Sequence, residues 1–161
     1  MAGNEVFNTA RTEELQVNLE SLGKIFKSDY NQDGLGIKKM AKATYDFAVN
    51  GGAISAISLG VTLPDNAVIT RCWVDVITTL TSATDAATIA LHAEAANDLV
   101  SALAISNGGN IWDAGLHEGI PVDTAATNKK LTAARALTAT IAVEAVTAGK
   151  FIVVVEYVVT G

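Results

Sequence analysis

The stretch Ile141 to Val159, I-A-V-E-A-V-T-A-G-K-F-I-V-V-V-E-Y-V-V, sets the hardest condition on any fold of this chain. It reads as two strands folded back on each other. In the first, Ile141, Val143 and Ala145 alternate with Ala142 and Glu144. The turn is expected over Val146 to Lys150, where Gly149 can enter left-handed backbone geometry without steric cost. The second strand, Phe151 to Val159, is apolar on both faces except at Glu156. An alternating strand needs one cover, and a strand apolar on both faces needs two. A sandwich of sheets supplies the first cover, and something else must supply the second.

At 161 residues, half of them hydrophobic, the chain can fill the core of one ordinary domain. A net charge of −6 argues against a nucleic-acid partner, which needs a basic footprint. The charge is unevenly placed. Residues 1–42 sum to zero, with Glu dominating up to Glu20 and Lys from Lys24 onward, so all of the excess acid lies in the remainder. No run approaches the roughly 18 apolar residues of a membrane span. M-A-G-N-E-V-F has neither a basic region nor an apolar core, so no secretory signal is expected. A single cysteine, Cys72, excludes an internal disulfide and a cysteine-based zinc site.

This asymmetry marks residues 1–41 as an arm on a body of residues 42–161. In the arm, Thr9 or Thr12 can cap a helix over about 9–27, with Glu13 and Glu14 near its positive end. Leu15, Leu19, Leu22 and Phe26 recur at helical spacing as one apolar stripe. A helix this short needs a surface to lie on. Its own domain and a neighbouring subunit or larger assembly both fit. Residues 28–41 read as turn and linker. Asp29, Asn31, Asp33 and Gly34 match the first half of a calcium loop, but Met40 stands where the bidentate Glu belongs, so ordinary turn chemistry is the reading adopted and no metal is expected.

In the body the period changes to two. Thr44 to Val49 alternates before the Asn50-Gly51-Gly52 turn, and Ala53 to Val61 forms a second strand closed by Leu63-Pro64-Asp65-Asn66. Val68 to Leu80 is the longest strand candidate. Val68, Thr70, Cys72, Val74 and Val76 are expected on one face, and Ile69, Arg71, Trp73, Asp75 and Ile77 on the other. Ala87 to Glu94 presents a clean face of Ala87, Ile89, Leu91 and Ala93. Ala95 to Ile105 fits a short helix or a strand pair, and Ile111 to Pro121 reads as a Gly-interrupted loop holding Trp112, His117 and Glu118. Arg135 resumes strict alternation. About seven or eight strands with frequent turn signals make an all-β body, a β-sandwich or jelly roll.

Chemistry is hard to place on this chain. His92-Ala93-Glu94 echoes the H-x-E of zinc deaminases, but the P-C-x-x-C partner is missing. His117-Glu118 lacks a third ligand or orienting group. Cys72 sits in mid-strand as a small buried hydrophobe, and no phosphate loop, dinucleotide fingerprint or G-x-S-x-G occurs. No catalytic residue and no cofactor are therefore expected. Trp112 in its loop could stack on a sugar ring or anchor a partner. Trp73, Ile77, Ile152, Val154 and Val158, on the second faces of the two-sided strands, are expected at an oligomer interface, because a symmetric oligomer supplies the missing cover.

The run L-P-D-N-A-V-I-T-R-C-W-V-D-V-I-T-T-L-T-S-A-T-D-A-A-T-I-A, with A-V-T-A-G-K-F-I-V-V-V-E-Y downstream, resembles β-rich virion structural proteins of tailed bacteriophages, of the head decoration (cement) or fibre type. The resemblance spans roughly Lys42 to Tyr157 and leaves out the arm. It implies a non-enzymatic homo-oligomer, a trimer, assembled in the bacterial host's cytoplasm and placed on the capsid surface. It implies the major capsid protein as partner, reached here through Leu15, Leu19, Leu22 and Phe26. The alternative is a head or tail fibre module that binds host glycan through Trp112.

Overall fold

A computed structural model of the chain describes residues 37–160, apart from Asn107. The arm stripe Leu15, Leu19, Leu22 and Phe26, and the turn residues Asp29, Asn31 and Asp33, lie outside the described residues.

The body is built of strands: β1 (Lys39–Asp46), β2 (Ser55–Leu63), β3 (Ala67–Ser82), β4 (Thr88–His92), β5 (Val100–Ala104), β6 (Gly115–Val122), β7 (Lys129–Lys130), β8 (Arg135–Ala142) and β9 (Val146–Val159), with one helical turn, α1 (Phe47–Asn50). They form two antiparallel sheets. One has the order β1-β9-β3-β6, with the short β7 also on β3; the other has the order β2-β8-β4-β5. With β7 set aside, four strands lie in each sheet, and the chain crosses between sheets at nearly every connection. This wrapping is that of a jelly roll, the expected fold class.

The core lies between the sheets. Phe151, Val153 and Val155 of β9 and Cys72, Val74 and Val76 of β3 face Ile89 and Leu91 of β4 and Leu137, Ala139 and Ile141 of β8, all at most 2% exposed. The period-two faces Ala87, Ile89, Leu91, Ala93 and Leu137, Ala139, Ile141 point inward as the sequence requires. At one end of the core three aromatic rings meet. Tyr45 stacks on Phe151 at 5.0 Å, and Trp112 tilts against Phe151 at 5.5 Å.

Several expectations are corrected. The closing strands do not pair with each other: β8 belongs to one sheet and β9 to the other, so they face across the core. The turn between them falls at Val143, whose φ is 69°, and not at Gly149, which lies inside β9 against Leu80. The turn is held by the Glu144 carboxylate. It accepts from the Ser82 hydroxyl, from the Thr84 amide at 3.0 Å and from the Ala86 amide at 3.2 Å. Thus the β8–β9 crossing is tied to the β3–β4 crossing at the same end of the sandwich. Phe47 and Val49 leave the strand pattern, because Asp46 caps α1 by accepting from the Ala48 amide at 3.0 Å and Gly51 closes it. Ile69 is buried and Val68 faces outward, the reverse of strict alternation, because the register with β9 slips between Ile69 and Arg71. The expected loop over Ile111 to Pro121 is from Gly115 onward the strand β6.

Candidate assembly surface

The two sheets differ in what they present outward. On β2-β8-β4-β5 the outer rows carry mostly small side chains: Ala56, Thr140 and Ala90 lie side by side, then Ser58 and Thr138 beside the imidazole of His92. On β1-β9-β3-β6 the outer rows carry large and charged ones. Lys42, Val154, Trp73 and Glu118 lie in one row across the four strands. Thr44, Ile152, Asp75 and Leu116 form the next row on one side, and Met40, Glu156 and Arg71 the next on the other. Met40 is 63% exposed, Leu116 70% and Ile77 50%, so this face has no cover within the body. An open hollow lies between β3 and β6, lined by Arg71, Trp73, Leu116 and Glu118.

All five residues expected at an oligomer interface lie along this β3–β9 seam. Trp73 stands opposite Val154, Ile152 opposite Asp75 and Val158 opposite Val68, while Ile77 lies toward the far end of β3. Sequence reasoning missed Met40, Lys42, Leu116 and Glu118 on the same face. The signal in β1 was available, since Ala41 and Ala43 turn inward and Met40 and Lys42 alternate with them. Leu116 and Glu118 were hidden by the loop-like composition of β6.

The charged groups of this face are organised where the chain enters it. Lys38 donates to Glu156 at 2.8 Å and to Asp123 at 3.2 Å, and the Thr70 hydroxyl donates to Glu156 at 2.8 Å. The Lys38 ammonium, with the Thr70 hydroxyl, lowers the pKa of the Glu156 carboxyl. Arg71 approaches Glu118 at 4.0 Å, and both are exposed. Lys42 has no ion pair among the described residues.

Trp112, Cys72, His117 and Glu94 each have a place in the fold. Trp112 is fully buried against Phe151 and has no face to offer a sugar, which removes the glycan contact. Cys72 is buried, and burial pushes its thiol up to about 12, so it is no thiolate nucleophile. His117 pairs through Nε2 with the Asp113 carbonyl at 2.8 Å, while Glu118 lies on the outer face near Arg71. Glu94 is structural. It accepts from the Thr132 hydroxyl at 2.6 Å and from Arg135 Nε at 3.0 Å. No group of three or more metal-ligating side chains converges among the described residues, and none of their helices is long and apolar enough to cross a membrane.

These anchored carboxylates set an acid limit. Hydrogen bonding to Arg135, then to Thr132, holds Glu94 at about 2, against 4.5 ordinarily. Glu144 is lowered by Ser82 and then Thr84, and Asp46 by Lys150 and then the Ala48 amide. A carboxyl depressed in the folded state stabilises the fold fully above its unfolded value and loses that contribution as pH falls through its folded value. Stability should therefore fall as pH drops from 4.5 toward about 2. Melting temperatures across this window test it. Glu94→Gln should flatten the slope, and an unchanged slope would remove Glu94 as a source.

No protein-family model matches the chain, and none of the curated proteins does. Solved structures do match. A chain of the acid-stable capsid of Helicobacter pylori bacteriophage KHP30 is 16% identical with a TM-score of 0.56, over 79% of this chain and 91% of that one. A chain of the cyanophage Pam1 capsid asymmetric unit is 20% identical with a TM-score of 0.57, over 78% and 86%. A chain of the Ralstonia phage GP4 capsid is 16% identical with a TM-score of 0.55, over 80% and 88%. At these identities the likeness is one of fold: the body folds as do chains found in the capsids of three phages.

Proposed function

We propose that this protein is a non-enzymatic structural component of a phage virion, a decoration or cement protein that strengthens the head by bridging capsid subunits. One observation carries the reading. The jelly roll, which it shares in fold with chains of three phage capsids, has one sheet face that no other described residue covers, with Trp73, Val154, Ile152 and Leu116 among charged groups. An exposed apolar patch of this kind, rimmed by polar residues, marks an interaction surface. Among the described residues Cys72 is buried, and His117 and Glu94 are bonded within the fold.

In this reading the stripe Leu15, Leu19, Leu22 and Phe26 docks on the major capsid protein, and the body spans a neighbouring subunit. Buried area across several subunits then raises the work of separating them. The test is loading onto capsids. Full-length protein with Leu15, Leu19, Leu22 and Phe26 all changed to Asp should keep its β-sheet circular dichroism and lose about ten-fold or more in occupancy. Full occupancy would end the docking-arm role. Cryo-electron microscopy of intact particles tests both levels: density for the sandwich is expected on the head, density confined to the tail would overturn the decoration role, and its absence from the particle would overturn the virion role.

A further inference from the structure

The uncovered face of β1-β9-β3-β6 carries its own complement. A two-fold axis parallel to the strands, running between β9 and β3, would turn each outer row end for end against the same row of another copy. Lys42, at the β1 end of its row, then meets Glu118, at the β6 end of the other copy's row, and Val154 meets Trp73. In the adjacent row Glu156 meets Arg71. Each of these pairings occurs twice. The remaining row contributes less, since Ile152 meets Asp75 there. We infer that a second copy of this chain closes the face, in an isologous dimer held by Val154 and Trp73 at the centre and by Lys42 and Glu118 at the rim.

Three physical points favour this occupant. First, the complement of the patch lies on the patch itself. An isologous two-fold requires this, whereas a three-fold ring joins two different patches. Second, Lys42 and Glu118 cannot satisfy each other within one chain. They lie three strand spacings apart, about 14 Å, and Lys42 has no ion pair among the described residues. Third, two copies of the same twisted sheet pack face to face with nearly aligned strands, as the two halves of a sandwich do. Val154 and Trp73 then meet at the centre with the Glu156–Arg71 pairs beside them, and Lys42 and Glu118 lie at the wet rim. The dimer would replace the trimer that the family resemblance implies, and it gives one occupant to the open face from which the virion reading is argued.

Charge reversal in the full-length protein tests the pairing, read by sedimentation equilibrium. The wild-type chain should show twice the chain mass. Lys42→Glu sets Glu against Glu118 at both ends, and Glu118→Lys sets Lys against Lys42. Each should weaken the dimer about ten-fold or more. The double variant restores both pairs in trans and should recover dimerisation to within about three-fold. Both positions are exposed, so melting temperatures should stay near wild type and show that each variant folds. A wild-type monomer, an oligomer indifferent to both reversals, or a double variant as weak as the singles would each overturn the inference. The assay uses no particles, so its failure and a failure of capsid loading are read separately.

Discussion

Trp112→Ala should cost the fold about 3–5 kcal/mol, the range for removing a fully buried aromatic ring. Trp112 is 0% exposed and lies against Phe151, which is itself 0% exposed and stacked on Tyr45. The loop that delivers the ring is firmly held. Asn110 donates to the carbonyls of Ala104 and Ile105 at 3.2 Å and accepts from the Trp112 amide at 2.6 Å. Asp113 gathers the amides of Gly109 and Asn110, and the Leu80 amide donates to the Trp112 carbonyl at 3.2 Å. A loop fixed at so many points cannot collapse into the space left by the ring, so the cavity persists and the cost falls at the high end. Against a total stability of about 5–15 kcal/mol, this is a large share. Trp112→Phe should recover more than half of the loss, because the indole N–H has no partner among the described residues and its removal breaks no hydrogen bond. Urea unfolding of the two variants decides the matter. A Trp112→Ala loss under about 1 kcal/mol would show that the ring does not support the core.

Gly119→Ala comes next, at about 1–3 kcal/mol or more. A methyl group there would lie 2.7 Å from the Leu99 carbonyl oxygen and 2.9 Å from the Cys72 sulfur. Neither neighbour can retreat easily: Leu99 is 1% exposed and Cys72 0%, and the Leu99 carbonyl already accepts from the Ile120 amide at 2.8 Å. The approach of β6 to the chain before β5 thus depends on a missing side chain. Cys72→Ala in the same protein should relieve part of the strain, giving a non-additive pair. Gly108→Ala, with nothing near its added methyl, should change stability by less than about 0.5 kcal/mol. Equal effects at Gly119 and Gly108 would refute the packing explanation.

How much of this was legible in the chain depends on how each element announces itself. Ala87, Ile89, Leu91 and Ala93 gave up their face at once, because polar and apolar residues alternate around them. β3 concealed its slip at Thr70. Val68 and Ile69 are both apolar, so exchanging their faces leaves no mark in the pattern. β6 reads as a loop because Gly115, Gly119 and Pro121 carry turn chemistry, yet Pro121 is tolerable in a strand on the sheet's border. Val143 in left-handed geometry was unforeseeable from its own type, since β-branched residues avoid that region. What fixes it is the Glu144 carboxylate, whose partners Ser82, Thr84 and Ala86 are far away in sequence. On the outer face, Trp73, Ile152 and Val154 followed from strands apolar on both sides. The relation of Lys42 to Glu118 required the strand order, which no local pattern contains.

The position of β9 also governs when the body can be finished. It follows every other described strand in sequence, yet it lies between β1 and β3, so that Lys39 waits for Tyr157. A nascent chain can gather the β2-β8-β4-β5 sheet first. The other sheet stays open through its middle until residues up to Val159 have left the ribosome. Contacts so distant in sequence make closure slow, on the order of milliseconds to seconds. β9 is one of the two central strands of the face bearing Val154 and Trp73, so an interrupted chain does not own it. Only molecules that extend through Val159 can present the surface on which the inferred dimer would form.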